Sequence, residues 1–457
     1  GYTARVGYDF ANKYLIEFNG SYNGTTAFDK DHRFGFFPAV SAGWNVAEEN
    51  FIKNTISFLT LFKIRGSYGT VGSDDLGNFS NTYISSYNRT GAYSFGTTHN
   101  NAPAIVPGVI GNPNVTWEKE LKSNIGVDFA VKGGKISGTV DVFNNRRYDI
   151  LAQRRTITSY LGIANSSLPP QNLGIVSNKG YEFELTYNGK AGKNFSYNIK
   201  GNYSYAKNQI LEIDEVPPAY EYRRQTGQSI GQVLQWIWEG YYSVEEAANP
   251  KVPKYIGSTT TTPGFLKYRD VNGDGVITTD DQGYFGRPNL PNTTIGLNTG
   301  LTYKRISLNI LLQSALNSDV QVGYQFTAPF KANLQAIHLK RWTPETASTA
   351  EFPALVSNFH GTYMSPGSNS SYWAVNGNYL RIRSIELSYR IPEKLVNKVG
   401  LKGLRAYANG YNLATWSKTF ERFGVDPEIA RSSSASGTDA TYPQQAIFNL
   451  GFNVSLK

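Results

Sequence analysis

The chain contains no cysteine and a single methionine. A disulfide framework, a zinc-thiolate or iron–sulfur site and a cysteine nucleophile are therefore excluded. Charged residues are scarce, 17% of 457. No apolar run reaches the ~18 residues a helical membrane span requires, the best, Ile306 to Leu316, being broken by Ser, Asn and Gln. A barrel span stays open, because each of its strands carries only about ten residues of alternating hydrophobicity. Lys plus Arg exceed Asp plus Glu by 44 to 35, but the cations are scattered, with only short clusters such as Arg146-Arg147 and Arg223-Arg224. The basic stripe of a nucleic-acid binder is missing, and no nucleic-acid partner is expected. The chain opens on Gly with no signal peptide behind it, so processing or truncation of the start is expected.

What the sequence has in quantity is aromatic: 31 Tyr, 25 Phe and 7 Trp, together with 45 Gly. That is too aromatic for disorder and too poor in charge for a helical bundle. The apolar residues recur with period two. In Lys13 to Tyr22, the residues Tyr14, Ile16, Phe18, Gly20 and Tyr22 share one face, and Glu17, Asn19 and Ser21 the other. At the far end Phe448, Leu450, Phe452, Val454 and Leu456 oppose Asn449, Asn453 and Ser455. Thirteen such strands are expected, at about 2–10, 14–22, 36–46, 59–69, 121–132, 136–148, 175–188, 194–207, 292–304, 306–316, 379–391, 403–413 and 446–456.

Short and long connections alternate. Tight turns follow strands one, five, seven and nine, at Ala11-Asn12-Lys13, Gly133-Gly134-Lys135, the Asn188-Gly189 region and Lys304-Arg305. The connections after even-numbered strands are longer, up to the stretch from Gln209 to Asn292. All long loops then lie at one end of the sheet, the layout of an outer-membrane barrel with short periplasmic turns and long extracellular loops. Thirteen is odd, whereas bacterial single-chain barrels have even strand counts, so these residues are expected to be the C-terminal part of a larger barrel. One pattern conflicts: Tyr379, Arg381, Arg383, Ile385, Leu387 and Tyr389 share parity, placing two arginines on the apolar face unless a bulge near Arg383 or Ser384 re-aims them.

Several stretches, in order, resemble the SusC/RagA-type TonB-dependent transporters. They include Phe62-Lys63-Ile64-Arg65-Gly66-Ser67-Tyr68-Gly69, Asn112-Pro113-Asn114-Val115-Thr116-Trp117-Glu118-Lys119 and Asn172-Leu173-Gly174. Asp270-Val271-Asn272-Gly273-Asp274-Gly275, Asn378-Tyr379-Leu380-Arg381-Ile382-Arg383 and Tyr411-Asn412-Leu413-Ala414-Thr415-Trp416 continue the series. The resemblance implies an all-β fold, an antiparallel transmembrane β-barrel of about twenty-two strands with a plugged lumen. Residues 1–457 would be its C-terminal part, with the plug and about nine N-terminal strands outside this sequence. It further implies import of oligosaccharides or peptides across the bacterial outer membrane, no enzymatic activity, a SusD-like surface lipoprotein as lid, and TonB acting through the missing N-terminal part. Outer-membrane lipid surrounds such a barrel, and a homodimer of the complex is an assembly the resemblance admits. The chain departs from the family in lacking the plug and in ending on Lys457 where a terminal aromatic is usual.

Local chemistry centres on Asp270, Asn272, Asp274, Val276 and Asp281, which stand at positions one, three, five, seven and twelve of a calcium-type loop. Calcium there would be structural, stiffening an extracellular loop; the competing reading is an Asx-turn hairpin without metal. Asp at position twelve is shorter than the usual Glu. Tyr222, Trp236, Trp238, Tyr241 and Tyr242 form an aromatic cluster in the longest loop and are the candidates for ligand contact, against packing within the loop or an aromatic girdle. Gly227-Gln228-Ser229-Ile230-Gly231 matches a hydrolase elbow, but a polar stretch precedes it and alternation follows, so no nucleophile is expected. The four histidines, His32, His99, His338 and His360, are expected in solvated loops. Two other functions fit the architecture less fully: a passive or structural outer-membrane barrel such as an adhesin or secretion component, and a soluble calcium-dependent glycan-binding protein or glycosidase.

Overall fold

The computed structural model describes residues 1–77, 83–97, 100–157, 162, 167–256, 261–322, 334–355, 369–429 and 443–456. Thirteen antiparallel strands form one sheet: β1 Tyr2–Phe10, β2 Tyr14–Gly24, β3 Phe34–Asn45, β4 Leu59–Ser73, β5 Glu118–Val131, β6 Ile136–Ala152 and β7 Gln171–Ala191. It continues with β8 Phe195–Glu212, β9 Thr293–Tyr303, β10 Ile306–Leu316, β11 Tyr379–Arg390, β12 Leu401–Trp416 and β13 Ile447–Leu456. Every strand pairs with its sequence neighbour, so the sheet is an uninterrupted meander. Among the described residues β1 and β13 each have one partner strand, which leaves two open edges.

Register aligns like with like. Val6 faces Phe18, Phe18 faces Val40, and Val40 faces Tyr68 across four strands. The other end repeats this, with Leu308 opposite Leu387, Leu387 opposite Ala408 and Ala408 opposite Leu450. These side chains form a continuous apolar face that the chain itself leaves uncovered; Leu450 is 87% exposed. Water would penalise such a surface, whereas hydrocarbon accepts it. The opposite face carries the alternate residues and is charged. Arg65 reaches Asp128 at 3.0 Å and Asp141 at 2.7 Å, Lys200 pairs with Glu184 at 2.8 Å, and Arg405 pairs with Glu386. One face suits lipid and the other a wet interior.

The turns are tight where expected, with one displacement. Asn188 and Gly189 lie inside β7, and the turn falls at Gly192, whose φ is +66°. Gly189 serves another purpose: the ring of Tyr197 lies over it, and a Cβ there would stand 2.1 Å from Tyr197 Cζ. A glycine that admits a cross-strand aromatic therefore resembles a turn signal in sequence. Strands β6, β7 and β8 also outrun the expected boundaries, with 17, 21 and 18 residues against the ~10 needed to cross a bilayer. They continue as paired ribbon past the apolar belt on the long-loop side.

The bulge in β11 is present. Leu311 of β10 faces Ser384 while the next residue, Leu312, faces Ile382, so Arg383 is the extra residue. Below it Ile385, Leu387 and Tyr389 keep the apolar face; above it Tyr379 and Arg381 turn inward and are buried. The parity conflict is resolved by one inserted residue.

Candidate functional site

The long connections at one end of the sheet fold on each other. Trp236, Tyr242, Leu266, Tyr268 and Ile277 from the 213–292 connection pack with Val320, Phe352 and Trp373 from the 317–378 connection and with Phe423 and Val425 beyond β12. Three loops thus share one hydrophobic core above the wall. Trp236 stacks on Tyr268 with ring centroids 5.6 Å apart, and its Nε1 donates to the Thr278 carbonyl at 2.7 Å. Backbone bonds from Trp236 N to the Asn369 carbonyl, 3.0 Å, and from Ser371 N to the Trp236 carbonyl, 2.9 Å, stitch the first loop to the second. The Arg422 guanidinium lies 4.9 Å from the Tyr372 ring centroid and donates to the Glu351 carbonyl at 2.7 Å, joining the third.

Polar residues fix this cap at its margins. Lys254 is buried and donates to the carbonyls of Glu246 at 2.7 Å, Asn249 at 2.9 Å and Val252 at 3.3 Å; burial pushes its ammonium below the usual lysine range. The Lys267 ammonium, 2.7 Å from Glu246, holds that carboxyl below its ordinary value. Burial raises the Asp319 carboxyl, although its Oδ2 accepts from Arg287 N at 2.8 Å. Asp214 and Glu215, adjacent in sequence, tie down different loops: Asp214 accepts from Thr156 N at 3.1 Å and Glu215 from Thr226 N at 2.9 Å.

The cap joins the wall at Arg381. Its Nη2 is 2.8 Å from both carboxylate oxygens of Asp426, its Nη1 is 2.6 Å from Glu428, and its Nε donates to Thr415 Oγ1 at 2.9 Å. Arg383 at the bulge donates to Gln444 at 2.5 Å and Asn412 at 3.1 Å. Asp426 also accepts from Glu428 N at 2.9 Å and Gln444 N at 3.1 Å, so one carboxylate gathers both ends of the segment between them. The parity of Arg381 hinted at this from sequence; nothing singled out Asp426 or Glu428.

A second, smaller core holds Phe28, Phe37, Val115, Trp117 and Leu151. It accounts for the Asn112–Lys119 motif. Trp117 Nε1 donates to the Arg33 carbonyl at 3.1 Å, Glu118 accepts from Leu151 N at 3.0 Å, and Asn172 Nδ2 donates to the Thr116 carbonyl at 2.9 Å.

The expected ligand contacts divide. Trp236 and Tyr242 are buried and offer no ring to a ligand, because they are the centre of the cap core; Tyr242 donates to the Pro253 carbonyl at 2.8 Å. Trp238 and Tyr241 are half-buried, packed edge to face with centroids 5.5 Å apart. Tyr222 is half-buried too, stacked on Tyr220 at 5.4 Å, its hydroxyl donating to the Asp280 carbonyl at 2.7 Å.

In the calcium-type loop the side chains are occupied by the loop's own backbone. Asp270 accepts from Gly273 N at 2.7 Å and Gly275 N at 2.8 Å, Asn272 from Asp274 N at 3.1 Å, and Asp274 from Val276 N at 2.9 Å. Asp281 is fully buried and accepts from Val271 N at 2.8 Å and Thr278 N at 2.7 Å. Among the described residues no three His, Cys, Asp or Glu side chains converge as metal ligands. Ser229 Oγ donates to the Asn208 carbonyl at 2.8 Å. His338 departs from expectation: it is buried against Phe352 at 4.7 Å and its Nδ1 accepts from Gln335 N at 2.9 Å. His32 is half-buried, and His99 and His360 lie outside the described residues.

A meander wall that is apolar outside, charged inside and capped by loops at one end defines an integral β-barrel of the outer membrane. The chain belongs to the TonB dependent receptor-like, beta-barrel family, whose model matches residues 2–413. TonB-dependent receptor SusC of Bacteroides thetaiotaomicron is 28% identical over 460 residues, covering 99% of this chain and 43% of that protein. TonB-dependent receptor P3 of Formosa agariphila is 27% identical over 477 residues, covering 98% and 45%. The solved structure of the RagAB peptide transporter superposes with a TM-score of 0.74 at 18% identity, covering 99% of this chain and 47% of that one, and shares its fold. The chain therefore spans a little under half the length of the relatives it matches.

Proposed function

We propose that this chain is the C-terminal part of a plugged barrel that imports oligosaccharides or peptides across the outer membrane, driven through TonB, with a SusD-like lipoprotein closing over its loop end, and that it performs no catalysis. The observation that carries the reading is the three-loop core set on a charged-walled sheet: a stiff platform at one mouth of a wet passage suits partner docking and cargo contact. Relatives named as TonB-dependent receptors and a structural neighbour named as a peptide transporter support it. The two open edges of the sheet suit completion by further strands of the same barrel. Within this reading Trp238, Tyr241 and Tyr222 remain the aromatic candidates for cargo contact.

The test is uptake of labelled oligosaccharide and peptide pools by cells carrying or lacking the full-length protein, with and without TonB. Import is expected to need both, and a lipoprotein is expected to copurify in mild detergent. Uptake that survives loss of TonB would instead establish a passive barrel.

Calcium at Asp270–Asp281 is proposed as a stiffener of a loop already closed by its own N–H groups, with each Asp270 oxygen keeping a lone pair for the ion. Terbium luminescence excited through nearby Tyr220 and Tyr222 is expected to rise on titration and to be competed by calcium; absence of any signal removes the ion from the account.

A further inference from the structure

The two ends of the barrel wall treat their cations differently. At the loop end many are paired, among them Arg147 with Glu118, Arg223 with Asp280, Arg154 with Asp214 at 3.9 Å and Arg381 with Asp426 at 2.8 Å, while exposed Arg155, Lys251 and Lys418 stand outside any ion pair among the described residues. At the turn end most are not. Three of the four tight hairpins there carry Lys132 and Lys135, Lys190 and Lys193, and Lys304 and Arg305 in or beside their turns, with no Asp or Glu among the turn residues. All six are exposed, and none is in an ion pair among the described residues. The β11–β12 connection adds exposed Lys394 and Lys398, with exposed Lys402 at the start of β12, against a single acid, Glu393. Only the sector at Lys13 and Lys53 is neutralised, by Glu49 and Glu48.

Two of these cations also show which way they face. Lys135 Nζ sits 5.8 Å from the Tyr187 ring centroid and Lys304 Nζ 5.4 Å from that of Tyr303. Tyr187 and Tyr303 belong to the apolar outer face, opposite Ile199 and Ile306. Phe10, Tyr14, Trp44 and Tyr389 continue the aromatic band on that face at the turn end, each exposed. Aromatic side chains of this kind mark headgroup level, and a lysine stem laid along such a ring carries its ammonium into the headgroup layer. Self-repulsion among unpaired cations is tolerable where a surface of opposite charge lies beside them.

We propose that the turn-end rim of this barrel is a docking surface for the anionic phospholipid headgroups of the periplasmic leaflet, with Lys135 and Lys304 as its outward-facing cations and the remaining turn lysines as a diffuse basic collar. The shared chemistry is a phosphate monoanion; the bilayer is favoured over a free anion because the two located ammonium groups sit on lipid-facing rings and not in a closed cavity.

The experiment uses the full-length protein in detergent micelles, with phospholipid retention followed by native mass spectrometry in mixtures of phosphatidylglycerol and phosphatidylcholine at low and high salt. Phosphatidylglycerol is expected to be retained preferentially, with the preference shrinking as salt rises. K135Q/K304Q is expected to lose roughly tenfold or more of it, whereas R224Q/K251Q, which removes two exposed cations from the loop end, is expected to leave it unchanged. Heat-modifiable gel mobility checks that both variants remain folded barrels. Equal retention of the two lipids by the unaltered protein overturns the proposal. So does an equal loss in the loop-end variant, displacement by inorganic phosphate, or displacement by polyglutamate, the last of which points to an acidic polypeptide instead.

Discussion

Arg381 Nη2 stands 2.8 Å from each carboxylate oxygen of Asp426, and both residues are buried. The pair joins a wall strand to a loop, where charge is expensive to bury and an orphaned partner more so. Arg381→Met leaves Asp426 and Glu428 without their cation and is expected to cost about 3–5 kcal/mol locally. Limited proteolysis of the full-length protein should show new cleavage within residues 417–446 while the barrel stays folded. R381M combined with D426N is expected to recover part of the loss.

Glu246 gives the cap an acid limit. Its folded value is lowered by Lys267, so its contribution is present above the ordinary carboxyl value of 4.5 and is lost as pH falls through the lower folded value. The pair is part-exposed and Glu246, whose carboxylate accepts from Ser243 N at 3.1 Å, closes the first turn of a helix of only five residues, Val244–Ala248, so the contribution is about 1 kcal/mol. Tryptophan fluorescence of the cap followed downward in pH should show a transition that E246Q weakens at neutral pH and flattens below it.

Trp236 acts by filling space. Trp236→Ala is expected to destabilise the cap by about 3–5 kcal/mol, and W236F by less. Tyr222→Ala, which removes a half-buried ring outside that core, is expected to leave cap melting nearly unchanged. Comparing the melting of the two variants in the full-length protein checks the assignment.

Ser229 is expected to be inert toward fluorophosphonate reagents, because its hydroxyl is committed to the Asn208 carbonyl. S229A should cost about 1 kcal/mol of loop stability and no turnover of any ester. Covalent labelling, detected by mass, would contradict this.

The wall was legible because alternation states which face of a strand is apolar and so turned from water, and the pattern from Phe448 to Leu456 needs no partner to be read. The bulge at Arg383 was legible for the same reason, as a break in parity. The turn after β7 was misplaced because Asn188-Gly189 imitates a hairpin signal while Gly189 is in fact making room for Tyr197. The cap was not legible as a folded unit. Trp236 meets Tyr268 within its own loop and is stitched to Asn369 and Ser371 in another, and no local periodicity encodes contacts of that separation. Aromatic residues in a loop that supplies its own core look, in sequence, like aromatic residues awaiting a ligand.

The ribbon formed by β6, β7 and β8 also decides what a visitor to the cell surface touches first. At ~3.3 Å per residue the 21 residues of β7 extend well past the hydrocarbon layer, so hydrogen-bonded sheet stands above the bilayer like a parapet. A phage fibre or an antibody approaching from that side meets a rigid conformational epitope, and antisera raised against intact cells should recognise it only while the barrel is folded.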